Sequence, residues 1–122
     1  MMLADSNLII YAASGKHPEL VDWFLKNELT VSAVSLVETL GYHKLNRREK
    51  TALDTIYSTM VILYPSPEEF QTAIQLRQQR AMSLGDALIA ATAINNNLTL
   101  ATHNPKDFSW IKSLGVLDPM GT

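Results

Sequence analysis

The chain has 122 residues, of which 47% are hydrophobic, with no cysteine and a formal net charge of −2. This length suits one domain and this apolar content supplies a compact core, which excludes extensive disorder. No apolar run approaches the roughly 18 residues of a membrane span, and the lack of cysteine excludes disulfides and thiolate zinc sites. Asp5 interrupts the N-terminal apolar run, which is untypical of a secretory signal. We therefore expect one domain over residues 1–122, with no membrane contact and a cytoplasmic location.

The first part of the chain alternates short apolar runs with helical patterns. In chain order we predict a buried strand in MMLAD, the start of a helix in SNLIIYAAS, a helix in PELVDWFLKN, a strand in LTVSA and a helix in SLVETLGYHKL. PELVDWFLKN has its apolar residues at helical spacing and its proline early, where helices accept it. In the last helix Ser35 and Glu38 have the S-x-x-E spacing of a capping box, so we expect the helix to open there.

The second part of the chain continues the alternation. In chain order we predict a helix in REKTALDTIYSTM, a buried strand in VILY, a helix in SPEEFQTAIQLRQQRA, an apolar helix in GDALIAATAINNN, a strand in LTLAT, a turn in HNPKDF and a last short strand or extended end in GVLDP. Ser66, Pro67 and Glu69 form another typical helix opening. The asparagines after LIAATAI tolerate the left-handed backbone with which many helices end.

Strands that alternate with helices predict a parallel sheet with helices on both faces. Five short strands in a chain of this length indicate a three-layer α/β/α sandwich with a mainly parallel central sheet. In such sheets, sites form at the carboxyl ends of the strands, near the point where the strand order reverses. Polar residues that directly follow the strands are therefore the first candidates for a functional site.

Four acids stand where one element changes to the next. Asp5 ends the first strand, Glu38 lies in the first turn of a helix, Asp86 opens the LIAATA helix, and Asp107 follows LTLAT. Each acid also has a purely structural explanation. Asp5 and Asp86 suit helix N-caps, worth about 1 kcal/mol each. Glu38 suits a capping box, and Asp107 suits a brace for its turn.

Burial separates Asp5 and Asp86 from ordinary caps. Both border runs that we predict to be fully buried, LII and LIAATA, and a carboxylate there needs compensation. A hard divalent cation supplies it, because Mg²⁺ and Mn²⁺ prefer oxygen ligands. His17, His43 and His103 have no zinc spacing, and the chain has no GxGxxG, Walker A or GxSxG motif.

The segment KLNRREK concentrates positive charge in a chain that is acidic overall. It carries four basic residues against Glu49, namely Lys44, Arg47, Arg48 and Lys50. Such a run indicates either a solvated helix face or a patch that contacts phosphates. Both interpretations remain open at the level of the sequence.

Four segments in the order DSNLIIYA, SLVETLG, DALIAATA and THNPKDF resemble the PIN domain, and specifically the VapC-type toxins of bacterial toxin–antitoxin pairs. The resemblance spans nearly the whole chain, with each segment in the expected strand or helix. It implies a PIN-like fold and a metal-dependent endoribonuclease that uses Mg²⁺ or Mn²⁺. It also implies an RNA substrate, a cognate antitoxin and a homodimer.

The resemblance assigns Asp5, Glu38 and Asp86 as the acidic site residues and metal ligands. Some members have an aspartate directly after the Thr-x pair, where this chain has Asn104, with Asp107 three residues further on. The fourth site residue is therefore Asn104 or Asp107. The predicted donors that support these ligands are Ser6, Asn7 and Thr102.

Two other functions are compatible with the same sequence. One is a PIN-like module that binds RNA or protein without cutting it, which the replacement of the fourth acid by Asn104 would permit. The other is an α/β partner protein with a purely structural role. Neither alternative predicts RNA cleavage that depends on a divalent metal.

Overall fold

The computed structural model describes residues 1–121. Its strands are β1 (Met2–Ala4), β2 (Leu29–Ser32), β3 (Val61–Leu63), β4 (Thr99–Ala101) and β5 (Val116–Leu117). Its α-helices are α1 (Ser6–Ala13), α2 (Pro18–Lys26), α3 (Ala33–Leu40), α4 (Arg47–Tyr57), α5 (Pro67–Gln79) and α6 (Leu84–Asn95). A short 3-10 helix, Pro105–Asp107, follows β4. None of the helices in residues 1–121 combines the length and apolar character needed to cross a membrane.

The five strands form one parallel sheet in the order β3-β2-β1-β4-β5. The chain moves outward from β1 through β2 and β3, and then returns to the other side of β1 with β4 and β5. The order of the strands therefore reverses between β1 and β4, and ligands of such sheets bind at the carboxyl ends beside this point. The predicted parallel sheet is confirmed.

Helices cover both faces of the sheet, which confirms the three-layer arrangement. On one face, α1, α2 and α4 contribute buried residues such as Leu8, Phe24 and Leu53 to one core. On the other face, α5 and α6 build a second core. Side chains alternate along β1 as strand geometry requires, with Leu3 in one core and Ala4 in the other.

Helix α3 begins earlier than predicted. Ser32, the last residue of β2, is its N-cap, and the Ser32 hydroxyl accepts a hydrogen bond from the Val34 backbone amide at 3.1 Å. Ser35 is fully buried, and its hydroxyl pairs with that of Ser6 at 2.7 Å, so it does not cap the helix. The predicted Ser35–Glu38 capping box is therefore wrong, and Glu38 lies in the second turn.

Asp86 does not cap α6. The N-cap is Ser83, whose hydroxyl accepts a hydrogen bond from the Asp86 backbone amide at 3.0 Å. Asp5 does occupy the N-cap position of α1, but its side chain makes no capping hydrogen bond. The capping explanation is therefore wrong for Asp86 and, for Asp5, applies only to the backbone position.

Strand β3 lies at an edge of the sheet and is not buried as predicted. Val61 is 59% exposed, because β3 pairs with β2 alone. Helix α5 begins where predicted, with Ser66 at the N-cap, but the Ser66 hydroxyl makes no capping hydrogen bond to the backbone and instead donates to Glu69 Oε2 at 2.6 Å. The left-handed asparagine after α6 is also confirmed, at Asn97 with φ of 55°.

Candidate functional site

Asp5 lies at the point where the strand order reverses. Its backbone amide donates to the carbonyl oxygen of Ala101 at 2.9 Å, which ties the end of β1 to β4. The residue is only 3% exposed. The buried Thr102 hydroxyl donates to Asp5 Oδ2 at 2.8 Å and accepts from the Asn104 backbone amide at 3.0 Å. Thr102 therefore orients the carboxylate and holds the backbone of Asn104 beside it.

The charge on Asp5 has no cationic partner among residues 1–121. Burial raises the pKa of Asp5 to about 6, and the carboxylates of Asp86 and Glu38 add to the rise. The Thr102 hydroxyl opposes it, because a hydrogen bond to the charged form stabilises that form. The charged form of Asp5 is thus unfavourable, and a bound cation would stabilise it.

Ser6, which directly follows Asp5 in the chain, connects Glu38 to the neighbourhood of Asp5. Ser6, the first residue of α1, donates its hydroxyl to Glu38 Oε1 at 2.7 Å. The same hydroxyl pairs with buried Ser35, so Ser6 links α1 to two positions on α3. Asn7, by contrast, is exposed.

Gly85 lets α6 pack directly against Glu38. A Cβ atom built at Gly85 would overlap Glu38 Oε2, so no other residue type fits there unless the carboxylate moves. Sequence reasoning missed this contact. The available signal is a glycine in the first turn of an otherwise apolar helix, a position at which it lowers helix propensity.

Asp86 and Asp107 extend the acidic cluster beyond Glu38. Asp86 is half-buried, and burial raises its pKa, with further contributions from the charges of Glu38 and Asp107. Asp86 and the exposed Asp107 line one cavity of about 200 Å³, together with Arg80, Ala81 and Met82. Both candidates for the fourth site residue thus lie at this edge of the sheet, Asn104 beside Thr102 and Asp107 beside Asp86.

The chemistry of these side chains fits a hard divalent cation. Within residues 1–121, no three histidine, aspartate or glutamate side chains are arranged as a formed metal site. The cluster nevertheless offers carboxylate and amide oxygens, the ligands that Mg²⁺ and Mn²⁺ prefer. The buried, unneutralised charge of Asp5 is the observation that favours a cation here. The assignment of Asp5, Glu38 and Asp86 as metal ligands stays a prediction.

The basic segment lies at the start of α4 and in the loop before it. Arg48 Nη2 donates to the Ser14 carbonyl oxygen at 3.0 Å, and Lys50 Nζ pairs with Asp54 at 2.7 Å. Lys44 and Arg47 are exposed and make no ion pair among residues 1–121. Lys44 and Arg47 are therefore the more available of the four for a phosphate.

The family model described as the PIN domain matches residues 2–112 of this chain. Ribonuclease VapC1 of Rickettsia felis is 30% identical over 95% of this chain and 94% of its own length. A toxin–antitoxin complex from Klebsiella pneumoniae contains a chain with a TM-score of 0.80, 29% identity and 100% coverage of both chains. VapBC2 from Rickettsia felis, bound to a DNA fragment from its promoter, contains a chain with a TM-score of 0.79 and 26% identity, covering 95% of this chain and 96% of that one.

The chain therefore belongs to the PIN domain family. Its similarity to VapC ribonucleases over nearly its whole length places it among the VapC-type members. The family resemblance drawn from the four sequence segments is confirmed.

The stability of the metal-free protein should fall as the pH rises from the pKa of Asp5 in the unfolded chain to its pKa in the folded chain. The pKa of Asp5 is about 6 in the folded chain against the ordinary aspartate pKa of 3.8, so the unfolded chain releases its proton first. The unfolded state then binds fewer protons, and the free energy of unfolding decreases with pH, by roughly 3 kcal/mol in all at about 1.4 kcal/mol per pKa unit. Asp5→Asn should remove this component.

Chemical denaturation in chelator, below pH 4 and above pH 7, measures the effect. The wild type should lose more stability between the two conditions than Asp5→Asn does. Asp22→Asn, at an exposed position on α2, serves as the control and should behave as the wild type. An equal pH dependence in wild type and Asp5→Asn would contradict the prediction.

Gly85→Ala should keep the fold stable and weaken the metal response of the site. The new Cβ displaces Glu38 Oε2, the end of a flexible side chain, so the backbone can stay in place. Alanine also favours a helix by up to about 1 kcal/mol over glycine. We expect the melting temperature in chelator to be unchanged or higher, whereas the stabilisation by Mn²⁺ should fall, because Glu38 no longer lies beside Asp86.

Gly115→Ala is the matched control for this variant. Its Cβ would make ordinary contact with the Thr99 side chain, at the amino ends of β4 and β5 and therefore opposite the acidic cluster. The control should respond to Mn²⁺ as the wild type does. The same Mn²⁺ response in Gly85→Ala would show that the position of Glu38 does not matter for the metal.

Proposed function

We propose that this protein is an Mg²⁺- or Mn²⁺-dependent endoribonuclease and the toxin of a toxin–antitoxin pair. The observation that carries the proposal is the buried carboxylate of Asp5, which has no cationic partner within residues 1–121 and lies among acids at the carboxyl ends of the strands. Membership of the VapC-type PIN domains supports RNA as the substrate.

In the proposed mechanism, Asp5 and Asp86 hold the cation, and Glu38 either joins them or orients the attacking water. Asn104 or Asp107 completes the ligand set. When bound, the ion supplies positive charge that activates water and offsets the added negative charge of the transition state. Thr102 and Ser6 keep Asp5 and Glu38 in place by donating to their carboxylates. The expected products carry a 5′-phosphate and a 3′-hydroxyl.

The RNA is held outside the acidic cluster by positive charge. We propose that the basic segment contacts its phosphates, mainly through Lys44 and Arg47, because Arg48 and Lys50 already have partners in the protein. Such contacts are independent of base identity and weaken as salt increases.

We also propose a cognate antitoxin, a homodimer and a cytoplasmic location. The antitoxin is supported by the solved relatives, which are described as a toxin–antitoxin complex and as VapBC2. The cytoplasmic location follows from the proposed RNA substrate. The dimer is supported by exposed apolar side chains on α3, α5 and the start of α6, namely Val37, Phe70, Ile74 and Leu84.

Mn²⁺ should stabilise the protein and support RNA cleavage, and chelator should abolish both effects. A ligand that binds only the folded state adds about 2.7 kcal/mol at a hundredfold excess over its dissociation constant. We expect a higher melting temperature and RNA products with 5′-phosphates, both lost in Asp5→Asn plus Asp86→Asn. Asp22→Asn plus Glu28→Gln removes the same charge from exposed positions and should change neither.

Two outcomes would overturn the proposal in different ways. Stabilisation by Mn²⁺ without cleavage of any RNA would indicate a module that binds without cutting. Neither stabilisation nor cleavage across millimolar Mn²⁺ would leave a structural α/β protein.

Static light scattering should give the mass of a dimer at micromolar concentration without antitoxin. Phe24 and Tyr57 are buried in the core, so they are not available to such an interface. Ile74 is 50% exposed on α5, so Ile74→Asp should produce the monomer mass by placing a charge in the apolar contact. Leu25→Asp, at an exposed position on α2, is the control and should remain dimeric. A monomer mass for the wild type would refute the dimer.

A further inference from the structure

Arg80 borders the acidic cluster and is not among the predicted site residues. It follows directly after α5, and its guanidinium carbon lies 5.6 Å from the centroid of the Trp110 ring. This is a cation–π contact. The Trp110 indole N–H donates to the Asp107 carbonyl oxygen at 3.0 Å, so Trp110 connects Arg80 to the turn that carries Asp107.

Arg80 also lines the cavity of about 200 Å³ that Asp86 and Asp107 share. Despite this proximity it forms no ion pair with either carboxylate within residues 1–121. Arg77, one turn earlier, instead donates its Nε to the Met82 carbonyl oxygen at 3.1 Å. Arg80 is exposed, and its guanidinium, which carries five N–H donors, is directed by an aromatic ring and not by an acceptor.

A cluster of carboxylates repels the RNA that it has to cut. A fixed positive charge at its rim offsets this repulsion, and a guanidinium binds phosphate through two parallel hydrogen bonds. The stacked ring limits the orientations of the guanidinium, so less conformational entropy is lost when a phosphate binds. These three properties meet at Arg80.

We propose that Arg80 binds an RNA phosphate that neighbours the one being cut, and that Trp110 positions it for this contact. The inference rests on the proposed ribonuclease function and adds a phosphate-binding residue to the same site. The competing explanation is a surface arginine that only stabilises the turn at Trp110.

Binding of a fluorescent single-stranded RNA of about twelve nucleotides and mixed sequence tests the contact. Anisotropy in chelator, over a range of salt, compares the wild type with Arg80→Ala and Arg80→Lys. Arg80→Ala should weaken binding about tenfold and lower the slope of log K against log salt by about 0.7. Arg80→Lys should keep the slope but lose part of the affinity, since an ammonium lacks the planar fork.

Lys26→Ala is the control for charge. Lys26 is the last residue of α2, which leads into the start of β2. It therefore lies near the amino ends of the strands, opposite the acidic cluster. It should leave both the affinity and the slope unchanged. In Mn²⁺, Arg80→Ala should raise KM for the same RNA more than it lowers kcat.

A double-mutant cycle tests the positioning role of Trp110. Trp110→Leu should weaken RNA binding when Arg80 is present, but should cause little further loss of affinity in the Arg80→Ala variant. Melting temperatures of the three variants report whether the fold is intact. Additive losses of affinity would show that Trp110 acts independently of Arg80.

The outcomes distinguish this inference from the proposed function. RNA cleavage by the wild type, with Arg80→Ala indistinguishable from Lys26→Ala in affinity, salt slope and KM, would overturn the role of Arg80 alone. RNA binding that depends on Arg80, without cleavage in Mn²⁺, would overturn the ribonuclease and keep the phosphate contact. A wild type that neither binds nor cuts RNA would overturn both.

Discussion

The buried charge of Asp5 is the constraint on which the rest of the site depends. A carboxylate that is 3% exposed normally has a cationic partner, yet within residues 1–121 Asp5 forms no ion pair, and the Thr102 hydroxyl donates a hydrogen bond to it. The acids of α3 and α6 increase the cost, because like charges raise the pKa of Asp5 further. Such an arrangement lowers stability where function requires it, and it is the physical basis of the proposed cation site.

In the helices that surround Asp5, residues other than the acids provide the helix caps. Serines cap α3 and α6, so Glu38 and Asp86 are not engaged in capping hydrogen bonds to the backbone. Gly85 removes the side chain that would separate α6 from Glu38. The local cost of a glycine in a helix is accepted because it brings two elements together at the site.

Local pattern was sufficient for the kind and order of the elements, and insufficient for their boundaries and exposure. Ser35 looked like a cap from its spacing, but its hydroxyl pairs with Ser6, which lies 29 positions earlier. The VILY run looked buried, yet β3 lies at an edge, and its exposure depends on the order of the strands. Capping spacing and hydrophobicity describe a few neighbouring residues, whereas these outcomes depend on partners far away in the chain.

The sequence by itself determined the alternation of strands and helices, the family, and the acids that lie near the ends of the elements, because each of these is carried by short segments. Only the tertiary structure decided that Ser6 bridges to Glu38, that Gly85 abuts it, and that Arg80 stacks on Trp110 beside Asp107. These contacts join residues tens of positions apart, and they exist because the sheet places β4 beside β1 and brings the starts of α1, α3 and α6 to one edge. Periodicity records which face a residue takes, but not which element will lie against that face.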